Sequence, residues 1–202
     1  MQLRGDPLSN ALRVVSFPEA GVPPDLRREI VALQDQTWPP DEPAGDGPWH
    51  DPALKPQSML LIDDDGRVLA GLDVLSKHLE HAGERWSASG LSAVVTDPAE
   101  RGRGHGSRLV REARRHIARS GVDIGLFTCD ARLLAFYERA GWEHLRGTVI
   151  IGGTPEDPFP SDGDGLDKVT LGGSFSERAR ARRSGFVGAR ICLYPGNIDR
   201  LW

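Results

Sequence analysis

Apolar residues recur along this chain with two different periods. Over residues 23–38, Leu26, Ile30 and Leu33 fall at helical spacing behind a proline, which predicts a helix. Residues 38–52, "WPPDEPAGDGPWHDP", can hold no regular element and read as a loop. The pattern then shortens. "SMLLID" at 58–63 is an apolar run, "DDG" a turn, and 67–83 a second strand, so a hairpin is expected. A third strand is expected at 85–97, with Val94 and Val95 at its buried end. Helical spacing returns at 104–120, where Leu109, Val110, Ala113 and Ile117 form one stripe that Gly121 closes. A strand at 122–129, a glycine-closed helix at 131–141 and a strand at 147–151 follow. Residues 152–185 look loop-rich, and 186–194 looks like a last strand before the tail to 202.

This order of elements predicts an α/β layered domain with a mixed sheet. No repeat and no Pro/Gly/Ser linker divides the chain near its middle, so a single domain over 1–202 is expected. Composition adds little: 39% hydrophobic and 27% charged is ordinary for a globular protein. A net charge of −4 argues against general nucleic-acid binding. Residues 1–15 have no apolar core of the signal-peptide kind, and no apolar run is long enough to span a membrane. The two cysteines, Cys129 and Cys192, form neither a disulfide framework nor a metal motif. A reducing cytoplasmic setting and no metal are expected.

Charge distribution changes the picture. Seven arginines between Arg101 and Arg119 face one acid, Glu112, whereas 41–51 carries four acids and 156–167 five, without Lys or Arg. Opposite local charges suggest two ligands of opposite sign, or simply solvated surfaces. The cationic segment opens with "RGRGHGSRLV", where Gly102, Gly104 and Gly106 alternate just before the helix. A helix N-terminus offers unpaired N–H groups and partial positive charge. Bare glycine backbone could close around an anion there, or merely turn the chain. The spacing matches neither an NTP P-loop nor a Rossmann fingerprint.

"VVTDPAERGRGHGSRLV" (94–110) resembles motif A of the GNAT superfamily of acetyl-CoA-dependent N-acetyltransferases, whose [RQ]-x-x-G-x-[GA] core is met by Arg101, Gly104 and Gly106. "LLAFYERAGWE" (133–143) resembles the superfamily's later helix. The resemblance implies a three-layer domain with a mixed, mostly antiparallel sheet flanked by helices. It implies that the coenzyme A pyrophosphate lies on Arg101, Gly102, Arg103, Gly104, His105, Gly106 and Ser107, and that the pantetheine pairs with Val94, Val95 and Thr96. It further implies Val95 N–H as an oxyanion donor, Tyr137 as the acid for the leaving thiolate, and a possible homodimer. "VTDPAERG" is one residue longer than the usual spacing, so a bulge is expected just before the loop.

Residues 58–97, 134–151 and "RICLYPGNIDRLW" also resemble the aminoglycoside 2'-N-acetyltransferases, the end through Cys192, Gly196, Asp199 and Trp202, with Tyr194 in place of a Trp. That resemblance implies an amino-sugar acceptor held by acids, here Asp41, Asp46 and the Trp202 carboxylate, and Trp49, beside acids in the first loop, is the expected sugar-stacking surface. One position departs: Ser92 stands where that family carries its basic glutamate. Serine alone cannot take the amine proton at neutral pH, so Glu80, Glu84, His78, His81 or water must do so, or the substrate differs. The expected activity is acetyl transfer from acetyl-CoA to a small-molecule primary amine. The alternatives are peptide or protein N-acetylation and a non-catalytic acyl-CoA-binding protein.

Overall fold

The computed structural model describes residues 11–40 and 47–194. Strand β1 (Arg13–Pro18) leads through a short 3-10 turn at Glu19–Gly21 into helix α1 (Pro24–Thr37), with Pro at the first turn. Strands β2 (Gln57–Ile62), β3 (Val68–His81) and β4 (Glu84–Thr96) form an antiparallel meander, with β1 pairing on β2. Helix α2 (His105–Arg119), strand β5 (Ile124–Asp130), helix α3 (Leu134–Arg139) and strand β6 (Glu143–His144) follow. The rest comprises β7 (Val149–Gly153), β8 (Pro158–Pro160), β9 (Lys168–Ser174), helix α4 (Glu177–Ala181) and β10 (Arg190–Cys192).

Among the described residues the main sheet runs β1-β2-β3-β4-β5-β9-β6, mostly antiparallel, with one parallel pair, β4 and β5. A smaller sheet runs β10-β7-β8. The helices cover both faces of the main sheet because each brings one apolar stripe. Leu109, Val110, Ala113 and Ile117 of α2 are fully buried with Leu72, Leu91 and Phe127. Ile30 and Leu33 of α1 pack with Leu60, Ile62 and Val95 on the other face. Contact there is close: a Cβ on Gly71 would collide with Ile30 Cδ1. Each such buried aliphatic side chain contributes about 2 kcal/mol through its removal from water. No helix among the described residues is long and apolar enough to cross a membrane.

The α/β expectation and the mostly antiparallel sheet are present as anticipated, and the elements from 23 to 141 fall within a few residues of their expected bounds. Three expectations need correction. Segment 152–185 is not simply loop: it supplies β8, α4 and β9, and β9 lies inside the main sheet, paired along its length with β5. Its Val169 and Leu171 alternate as a strand's should, but Asp- and Gly-rich sequence precedes them and two glycines follow. The expected strand at 186–194 shortens to Arg190–Cys192, because a 3-10 turn at Arg183–Phe186 and Gly188 at φ +67 interrupt it. The bulge lies deeper in β4 than expected. Asp73 pairs with Ser92 and Gly71 with Val95, so one residue of β3 opposes two of β4, Ala93 having φ +49. The extra residue before the glycine loop forms instead a 3-10 turn, Pro98–Glu100, capped by Asp97 accepting from Ala99 N–H at 2.9 Å.

Candidate active site

The bulge and one interrupted ladder create the central opening. Strands β4 and β5 pair only at Ala88↔Ile124 and Ser89↔Gly125. Beyond that point they part, and among the described residues the β4 edge from Gly90 to Thr96 has no strand partner on the β5 side. The opening is a cleft of ≈ 730 Å³. Val94, Val95 and Thr96 line one wall, Asp130, Leu133, Phe136 and Tyr137 the other, and Thr37 and Trp38 approach from the end of α1. An unpaired strand edge in a cleft can hydrogen-bond an extended ligand as a further strand would.

The floor of the cleft is the glycine loop. Gly102 and Gly104 take φ +81 and +84, conformations that L side chains avoid, with open space where a Cβ would stand. Gly104 is the N-cap of α2, and no side chain caps that end. The first helical bond runs from Arg108 N–H to Gly104 C=O at 2.9 Å, so the amides before it stand outside the ladder. Gly106 serves packing: a Cβ there would lie 2.7 Å from Thr96 Oγ1. An uncapped, fifteen-residue helix opening onto bare backbone fits a phosphorylated ligand. The residues present therefore fit the pyrophosphate and amide arm of coenzyme A.

Arg101, Gly102, Gly104, His105, Gly106 and Ser107 all line the cleft. Arg103 does not. Its guanidinium pairs with Glu100 at 2.9 Å and borders a separate hollow near Asp63 and Arg67. His105 Nε2 also lies 3.5 Å from Glu100.

Tyr137 is buried between Phe127 and Phe136, with ring centroids 5.1 and 4.9 Å away, and it lines the cleft. Burial, then the nearby Cys129 and Asp130, pushes its phenol pKa well above the ordinary value, so it keeps its proton at neutral pH. Burial and Asp130 likewise push the Cys129 thiol to about 11, outweighing Lys168, which leaves it a poor nucleophile.

On the α1 side of β4 the fold assembles a second polar group from distant parts of the chain. Glu19 is 2% exposed. It accepts from Trp49 N–H at 2.7 Å, from His50 N–H at 3.2 Å and from His50 Nδ1 at 2.9 Å. Across the ring, His50 Nε2 lies 3.4 Å from Ser92 Oγ. Opposite Ser92, Asp73 is buried and accepts from Ser58 Oγ at 2.5 Å, while its Oδ2 has no partner among the described residues. Burial raises the Asp73 pKa to about 6, with Glu19 adding to the rise and His50, Ser58 and Gln34 opposing it.

The proposed bases on the hairpin lie elsewhere. Glu84 pairs with Arg182 at 2.6 Å, and His81 Nε2 meets Gly185 O at 2.7 Å. Glu80 pairs in register with Arg85 near the hairpin tip, and His78 with Ser87. Ser87 is about 17 Å along the strand from Ser92. Trp49 has one ring face covered by Arg27, 4.4 Å from the ring centroid. Asp41, Asp46, Gly196, Asp199 and Trp202 lie outside the described residues. The sequence reading missed Glu19, His50 and Asp73. The only signal available was a polar residue at each of these positions, and nothing in their spacing links 19, 50, 73 and 92.

The family model of the acetyltransferase (GNAT) domain matches residues 23–145. No curated protein matches the chain. Among solved structures, an acyl-CoA N-acyltransferase from Pseudomonas aeruginosa is similar at 19% identity, over 80% of this chain and 99% of that one, with TM-score 0.55. ElaA of Escherichia coli is similar at 14% identity, over 80% and 99%, with TM-score 0.54. This chain spans only 33% of the length of a similar Enterococcus faecalis protein, at 19% identity over 67% of this chain and TM-score 0.54.

Proposed function

The chain belongs to the GNAT acetyltransferase family, and from that premise we propose that it acetylates a primary amine of a small molecule with acetyl-CoA as donor, within one domain spanning 1–202. The observation that carries this reading is the parting of β4 from β5, which leaves the Val94–Thr96 edge open and leading into the uncapped α2 N-terminus. Acetyl-CoA, when bound, supplies an activated thioester. The Gly102–Ser107 backbone and Arg101 hold its pyrophosphate, and the Val94–Thr96 edge pairs with its amides. Val95 N–H stands as the oxyanion donor, and Tyr137 as the proton donor toward the thioester sulfur. Because burial strengthens the hold of Tyr137 on its proton, its contribution is a hydrogen bond that follows charge onto sulfur more than an easy release of the proton.

As acceptor we propose an amino sugar of the aminoglycoside kind. Glu19 and Asp73, both buried on the α1 side, favour a ligand that arrives as a cation. The test is acetyl-CoA-dependent thiol release over a panel of 2'-amino aminoglycosides, simpler amino sugars, polyamines and short peptides. Turnover of an amino sugar supports the reading. Turnover of peptides alone overturns the acceptor class but leaves the donor assignment in place.

A further inference from the structure

We propose that Ser92 is the group that takes the proton from the acceptor amine, with His50 as that proton's destination and Glu19 as the residue that positions the His50 ring. The inference rests on the N-acetyltransferase reading above and deepens it. Serine alone is no base at neutral pH, but this serine does not stand alone. Both carboxylate oxygens of Glu19 accept backbone N–H groups, Oε1 from Trp49 and Oε2 from His50, and Oε2 lies 2.9 Å from His50 Nδ1. That contact requires the proton of the neutral ring to be on Nδ1. The lone pair is therefore on Nε2, which is the atom 3.4 Å from Ser92 Oγ. The side chains of His50 and Glu19 are only 8% and 2% exposed, so this arrangement is held by packing rather than by solvent.

The location suits the task. Ser92 is the last residue in register before the bulge, and Val95, which lines the cleft, is the next. The bulge thus lies between the relay residue and the cleft wall on one strand. The charged groups around His50 are Glu19 on the turn after β1, Asp73 on β3, and Asp51 next in the chain. Asp73 has one buried carboxylate oxygen without a donor among the described residues, directly across from Ser92. Two carboxylates under one serine favour an approaching ammonium and the imidazolium that results.

The proton balance is simple. The ammonium N–H proton passes to Ser92 Oγ while the Ser92 hydroxyl proton passes to His50 Nε2. The electron pair of the broken N–H bond remains on the amine as its nucleophilic lone pair. Ser92 ends as it began, and the positive charge rests on His50 against Glu19. The proton then leaves to solvent between turnovers.

Two readouts test this. In the free protein, ¹⁵N NMR of the neutral His50 ring is expected to find Nδ1 protonated and Nε2 bare, and Glu19→Gln is expected to erase that preference. A proton on Nε2 in the wild type overturns the relay. In kinetics with acetyl-CoA and either tobramycin or spermidine, Ser92→Ala and His50→Gln are expected to lower kcat/KM about 100-fold at pH 7. The deficit should close as pH rises and the amine becomes neutral by itself, and Ser92→Thr should restore activity. A deficit that does not change with pH, or an acetyl adduct on Ser92 after acetyl-CoA alone, overturns the proposal. Calorimetry keeps the two readings apart. If acetyl-CoA does not bind the wild type, the donor assignment fails. If it binds and neither amine reacts, the acceptor reading fails, and the NMR tautomer decides the relay.

Discussion

The two sides of β4 are built by different means. On the β5 side, the part of the cleft proposed to hold the donor is backbone: an unpaired strand edge, a bare glycine loop and an uncapped helix end, drawn from one continuous stretch, 94–107. On the α1 side, the polar cluster is made of side chains that come from positions 19, 50, 58, 73 and 92. A backbone site depends on chain conformation, which glycines and a bulge dictate locally. A side-chain site depends on the whole tertiary fold. The first can serve one fixed ligand, while the second can change without disturbing the strand they share.

The sharpest way to break this contrast is at the loop. Gly104→Asp places a side chain at φ +84 and a negative charge in an anion cradle. It should weaken acetyl-CoA binding by about 100-fold or more by calorimetry, roughly 3 kcal/mol. Next is Tyr137→Phe, which should lower kcat about 10- to 100-fold with little change in acetyl-CoA affinity. Normal turnover in that variant would assign the sulfur's proton to water.

Asp73→Asn probes the other side through stability. The folded-state pKa of Asp73, about 6, lies above its ordinary 3.8, so the folded protein holds this proton more tightly than the unfolded chain. Its contribution to stability is therefore best at low pH, falls between about pH 4 and 6, and stays low above that. Asparagine removes the cost of the buried charge and can still accept from Ser58. Denaturant unfolding should find the variant more stable than wild type at pH 8, on the order of 2 kcal/mol, and no more stable near pH 4. The smallest effect is expected from Arg103→Ala. Because the Arg103 side chain does not line the cleft and only pairs with Glu100 at its edge, acetyl-CoA affinity should change by less than about threefold.

The same contrast explains what could be read in the sequence. The α2 stripe, its closing glycine and the Gly102–Gly106 loop are local patterns, and each forms where its period placed it. Strand β9 was hidden because its Val and Leu alternation is brief and glycines end it, so only its pairing with β5 makes it a strand. Strand β1 was equally silent, a short run whose place is fixed by β2. The bulge at Ala93 has no glycine to mark it. Ser92 looked like a lost base because its partner lies 42 residues away in sequence. Arg103 looked like a phosphate ligand because charge pattern cannot foresee that Glu100 engages it.

The most direct test of the whole account is one calorimetric series: acetyl-CoA titrated into wild type, Gly104→Asp and His50→Gln. A backbone-built donor site and a side-chain-built acceptor site that meet at the β4 bulge predict equal affinity for wild type and His50→Gln, with binding lost in Gly104→Asp. Undiminished binding in Gly104→Asp, or equal loss in both variants, would contradict it.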